Sequence, residues 1–176
     1  MKLFEYCFDS SNKGNVPFQE TIDYTLTVPC VNREETLFYI FRSYRFGEFL
    51  YITDIFPKRF ENDDRCFRRF TSREGFSVNM RRLSVTCLMI FVEHFIKKDV
   101  RNAMVISGSY EDNEPPHGPS RKLKLYHYFF SPLLSSLQLR SVEMMEGNAF
   151  ILVCQNNPLT DEEIKQTYLD FKSMRK

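Results

Sequence analysis

The chain has no tryptophan, no internal repeat, no low-complexity tract and almost no net charge, since 24 Lys and Arg stand against 23 Asp and Glu. Near-neutrality argues against a molecule that attracts polyanions through its overall field. Any affinity for nucleic acid or for a phosphorylated ligand must come from a local patch. The five cysteines, at 7, 30, 66, 87 and 154, are odd in number and never fall at Cys-x-x-Cys spacing. That argues against a disulfide scaffold and against a cysteine-based metal site, and it fits a reduced, cytoplasmic protein whose thiols are mostly inert and buried. No His/Cys/Asp cluster has metal-ligand spacing. The N-terminus lacks the basic, apolar, small-residue layout of a secretory signal. The longest apolar stretch, near 85–92, falls far short of the ~20 residues that span a bilayer.

What is abundant is aromatic surface. Eighteen Phe and nine Tyr in 176 residues suit pleated, half-buried faces, so a substantial sheet is expected. With 43% apolar and 27% charged residues and no linker-like stretch, the chain reads as one domain over 1–176.

Patterning gives the elements. Residues 2–8 read as a first strand and 9–17, polar and containing Gly14, as a loop. Ile22, Tyr24, Leu26 and Val28 alternate with Thr21, Asp23, Thr25 and Thr27, which is a half-buried strand. Residues 36–44 and 49–56 form two more, joined by a turn at 45–48, so three successive strands make an antiparallel meander that Pro57 ends. Residues 78–98 form the clearest helix, with Val85, Leu88, Met89, Val92, Phe95 and Ile96 on one stripe and Lys97 and Lys98 at its cation-favouring end. A short strand at 103–107 completes a βαβ crossover and makes one strand pair parallel. A mobile loop follows at 109–120 by composition, then a helix at 121–130 limited near Pro132. A hairpin over 140–155 turns at Gly147. Thr160 and Glu163 form a capping box that opens a last helix with Ile164, Tyr168 and Phe171 inward. The fold class is α/β, an α+β mixed sheet.

The stretch from Phe49 to Lys98 carries the chemical hint. A strand feeds a loop with eight basic residues (Lys58, Arg59, Arg65, Arg68, Arg69, Arg73, Arg81, Arg82), one glycine and then a helix N-terminus. Free N–H groups and positive charge converge at such a place and suit a phosphate. The plain alternative is a solvated loop balanced by Glu61, Asp63 and Asp64, with Ser77 or Asn79 as the helix cap.

The order of elements from Thr21 to Gln155 resembles that of the GNAT N-acetyltransferase family, in which acetyl-CoA lies where a central strand splays from its neighbour. Leu50-Tyr51-Ile52-Thr53-Asp54-Ile55-Phe56 is similar to that strand, and Ser72-Arg73-Glu74-Gly75-Phe76-Ser77 to the family's pyrophosphate loop. Ser72 stands where Arg or Gln is usual, the loop before Gly75 is long, and the family's two N-terminal helices have no counterpart between Phe8 and Thr21. The resemblance implies acetyl-CoA as co-substrate, bound at Ile55, Phe56, Arg73, Gly75 and Ser77. It implies an amine-bearing acceptor, Asp54 (with Glu48 second) to remove a proton, and Tyr126 to protonate the departing thiolate, with His127 or Tyr128 in its place if the register slips. Two other functions stay open. One is a descendant with an eroded cofactor loop that binds a partner protein. The other is a nucleic-acid binder using the Arg loop with Phe60, Phe67 and Phe70 interleaved, against which near-neutral charge weighs.

Overall fold

A computed structural model of the chain describes residues 1–63, 75–108, 118–144 and 148–174. Seven strands form one mixed sheet: β1 (Glu5–Lys13), β2 (Glu20–Pro29), β3 (Thr36–Phe46), β4 (Leu50–Pro57), β5 (Ala103–Ser107), β6 (Leu139–Met144) and β7 (Ala149–Cys154), in the spatial order β1-β2-β3-β4-β5-β7-β6. All pairs are antiparallel except β4 with β5. Among the described residues three α-helices accompany the sheet: α1 (Met80–Phe91), α2 (Arg121–Leu134) and α3 (Asp161–Ser173).

The meander and the crossover follow the pattern of the sequence. Tyr24, Leu26 and Val28 of β2 face the core shared with α1 and α2, while Thr25 and Thr27 are half-buried on the other side. Along β5 and β7 the alternation vanishes: Ala103, Met104, Val105 and Ile106 are all buried, as is every residue of β7. Strands covered on both faces need this continuous apolar run. One core lies between the sheet and α1 with α2, built on Phe41, Leu88, Phe91 and Leu152. A second lies under α3, where Ile164, Tyr168 and Phe171 meet Leu50, Ile52, Val105 and Ile151. The capping box that opens α3 is present, with the Thr160 hydroxyl accepting from the Glu163 N–H and Glu163 accepting in return from the Thr160 N–H.

Three local expectations need correction. The polar run after Phe8 is strand to Lys13, because β2 supplies ladder partners and a bulge between Phe8 and Ser10 swings Asp9 toward Thr25 and Lys58. The stripe on α1 is wider than predicted. Leu83, Ser84, Thr86, Cys87, Ile90 and Phe91 are buried too, so this helix is enclosed on most sides. It loosens into a π turn over Val92–Ile96, where the Lys97 N–H donates to the Val92 carbonyl, and Asn102 ends it by donating its side-chain amide to the Phe95 carbonyl. α2 runs through Pro132 to Leu134. Proline there lacks the N–H that would reach the Tyr128 carbonyl, a cost that is smallest where, as here, residue 128 is exposed to water.

The two cores make a differential prediction. Leu88→Ala, at a fully buried site in α1, costs about 2–5 kcal/mol. Thr160→Ala, which removes only a helix cap, costs about 1 kcal/mol. Urea unfolding of the two variants measures both, and equal losses would contradict this division.

Candidate functional site

β4 and β5 pair for only three residues, Leu50 to Ile52 against Ala103 to Val105. Beyond that point β4 stays paired with β3 as far as Pro57, and β5 stays paired with β7 as far as Ser107. The two central strands therefore separate at their carboxyl ends. The Thr53 hydroxyl spans the start of the gap, donating to the Val105 carbonyl at 3.0 Å where the ladder stops.

The gap is a cleft of ≈ 30 Å³ open to water centres, lined by Thr53, Asp54 and Ile55 on one side and Ile106 and Ser107 on the other. A water needs roughly 10–15 Å³ by this measure, so the space suits about two waters or one short chemical group. Cys87, Met104 and Phe130 contribute apolar walls, and Lys122 and Tyr126 reach it from α2.

A knot of hydrogen bonds sets where α2 begins. The Asn148 side chain donates to the Gly108 carbonyl at 2.6 Å and accepts from the Ser120 N–H at 2.7 Å, while the Gly108 N–H donates to the Asn148 carbonyl at 2.8 Å. The Ser120 hydroxyl then caps α2 by accepting from the Leu123 N–H. The end of β5, the start of β7 and the start of α2 are thus tied together. Only glycine fits at 108, since a Cβ there would lie 2.0 Å from Ser120 Oγ and 2.9 Å from Leu123 Cβ. From this anchor Lys122 and Tyr126, four residues apart, project from one face of the helix, with the ammonium 5.9 Å from the phenol ring centre.

The electrostatics follow from burial. Burial pushes the Tyr126 phenol well above its ordinary value, and the Asp54 carboxylate adds to the rise, so the phenol holds its proton at neutral pH. Burial lowers the pKa of the Lys122 amine, and the charge of Asp54 opposes that fall. Burial also keeps the Cys87 thiol protonated, which makes it wall rather than nucleophile. Arg42, opposite Asp54 in the β3–β4 register, gives its guanidinium to Asp23 at 2.7 and 2.8 Å and to Glu61 at 2.6 Å.

The residues singled out from the sequence divide into those the cleft gathers and those it does not. Asp54, Ile55 and Tyr126 line it together. Phe56 is buried beneath Arg42, whose guanidinium carbon stands 5.3 Å from its ring centre. Glu48 lies in the turn before β4 and pairs with Arg101. His94 packs at a tilt against Tyr24 with centres 5.0 Å apart, His127 bonds Ser131, and Tyr128 is exposed. Gly75 and Ser77 are held by the β2–β3 loop: Asn32 donates to the Gly75 carbonyl at 2.9 Å and accepts from the Ser77 N–H at 2.8 Å. Asn79, not Ser77, caps α1. Arg33 and Arg59 flank the Phe76 ring at 4.7 and 4.8 Å. Arg73, with Cys66, Phe67, Phe70, Ser72, His117, Gly147 and the arginines at 65, 68 and 69, lies outside the described residues.

Lys122, Gly108, Asn148 and Asn32 were not singled out from the sequence. Lys122 carried a usable signal, its i, i+4 spacing to Tyr126. The other three act through long-range contacts that no local pattern marks. Among the described residues no group of His, Cys, Asp and Glu could hold a metal ion, and no helix is long and apolar enough to cross a membrane.

No protein-family model matches this chain, and no curated protein or solved structure shows significant similarity to it.

Gly108→Ala should force Ser120 and Leu123 aside, cost about 1–3 kcal/mol and displace the start of α2. Denaturant unfolding and the amide spectra of residues 120–126 check both effects. A variant as stable as the parent, with unshifted amides, would show that the knot does not position α2.

Proposed function

We propose that this chain is an acyl-CoA-dependent N-acyltransferase with a GNAT-like fold, transferring an acetyl group to an amine. The observation that carries this reading is the divergence of β4 from β5, with Asp54 and Tyr126 meeting at the opening. In open sheets, ligands favour the crevice at the carboxyl ends of parallel strands. The order of meander, crossover helix and closing hairpin agrees with the resemblance seen in the sequence.

The residues suit the acyl end of acetyl-CoA, which would supply an activated thioester. The cleft is small and apolar-walled, which favours a two-carbon group over a long chain. Asp54, which lines the cleft, would take the proton of an acceptor amine, directly or through water. Tyr126 keeps its proton at neutral pH and can donate a hydrogen bond to sulfur as it leaves. Holding both groups in fixed positions is itself a large part of such catalysis. At the phosphate end the fit differs from the family pattern. The Ser77 N–H is already donated to Asn32, so Arg33 and Arg59 are the described groups near Phe76 able to meet phosphates.

That engaged N–H also favours a second reading, a descendant whose cofactor loop has eroded and whose surface binds a partner protein. Thermal unfolding with acetyl-CoA separates the two. A site filled at 100 times its dissociation constant adds about 2.7 kcal/mol and raises the melting point by several degrees. Tyr126→Phe should keep that shift and lower kcat of acetyl transfer by about 100-fold or more. No shift at millimolar acetyl-CoA would leave the eroded, partner-binding reading standing.

A further inference from the structure

Lys122 has no role in the acyltransferase reading, yet its side chain lines the same cleft as Asp54 and Tyr126. A lysine drawn out of water is as a rule paired, and a buried amine whose pKa falls is also the kind that proteins use as a base or nucleophile. This one sits on the first turn of α2, held there by the Asn148 knot and the Ser120 cap, and is half-buried rather than exposed. The titratable groups that face it are Asp54 from β4, Tyr126 from its own helix and Cys87 from α1, all lining the cleft.

We propose that Lys122 Nζ is itself an acylation site, a nucleophilic amine that accepts a short acyl group from a thioester inside the cleft between β4 and β5. The inference shares the cleft of the acyltransferase reading but not its nucleotide. It needs only an acyl thioester of a small thiol. In the step, the Nζ lone pair forms a bond to the acyl carbon and the carbon–sulfur bond breaks. Sulfur leaves with the bonding electron pair as thiolate. The proton lost from nitrogen passes to it, with Asp54 as the carrier at hand. The products are an amide on Lys122 and a free thiol, with no oxidant, reductant or metal required. An amide does not reverse under mild conditions, so the modification removes a positive charge from the cleft and fills it.

Two features favour reaction here over the other lysines. The desolvated amine is neutral more often at a given pH than an exposed one, because burial lowers its pKa. Tyr126, protonated and in the same cleft, can donate a hydrogen bond where negative charge develops on the carbonyl oxygen or on sulfur. Lys124, two residues further along α2 and exposed, is the internal control.

The test uses the full chain with S-acetyl-N-acetylcysteamine, a thioester that lacks the nucleotide, and with acetyl-CoA in parallel. Peptide mass mapping then reads the initial acetylation rate at each lysine between pH 7 and pH 10. The expected result is Lys122 at least about tenfold faster than Lys124 at pH 7.5, with the ratio shrinking toward pH 10 because the lowered pKa of Lys122 matters most at the lower pH. Lys122 labelling at or below the rate of Lys124, or a ratio independent of pH, would overturn the proposal. Fast labelling by the small thioester without any acetyl-CoA effect on melting would retain the reactive amine and remove the cofactor reading. A melting shift without preferential labelling would do the reverse.

Discussion

The separation of β4 from β5 after three shared residues is the constraint on which the cleft depends. A backbone ladder cannot stop in the interior of a sheet without leaving donors and acceptors to satisfy. The chain manages the first of these with a side chain, the Thr53 hydroxyl on the Val105 carbonyl. Each strand keeps its outer partner, so the opening has rigid walls on both sides. A site built on strands paired along their far edges holds its geometry better than one built on loops.

The polar groups in the opening depend on a second device, the tie between Asn148, Gly108 and Ser120. It fixes where α2 starts and hence where Lys122 and Tyr126 enter the cleft. The apolar walls supplied by Cys87, Met104, Ile106 and Phe130 then decide the charge states. Away from water, neutral forms are favoured: the phenol keeps its proton and the amine sheds its own more readily. Asp54, on the strand that borders the opening, is the acidic residue among the cleft-lining side chains. A protonated acid, a softened base and a carboxylate around one small, largely apolar-walled space form an arrangement suited to moving protons.

Much of this was legible from residue order. Alternation in β2, the apolar run of β5, the capping box at Thr160 and the parallel pairing of β4 with β5 follow from local patterns, and all are present. Asp54 and Tyr126 take their expected roles from the family resemblance rather than from local pattern, and both line one cleft. Less legible was what depends on distant contacts. The polar start of the chain becomes strand to Lys13 because β2 pairs with it. α2 passes Pro132 because Leu133 and Leu134 beyond it, like Phe130 before it, pack against the core. The Ser77 N–H looked free for a phosphate, but Asn32, 45 residues away in the chain, accepts its hydrogen bond.

The central claim is that the opening between β4 and β5 receives an acyl thioester. Backbone amide chemical shifts followed during titration with acetyl-CoA test it most directly, because they report location as well as affinity. The account predicts saturable changes concentrated at Thr53, Asp54, Ile55, Ser107 and Tyr126, on both walls of the cleft and on the helix that closes it. Changes confined to β1 or α3, or none at those five residues at saturating ligand, would contradict it.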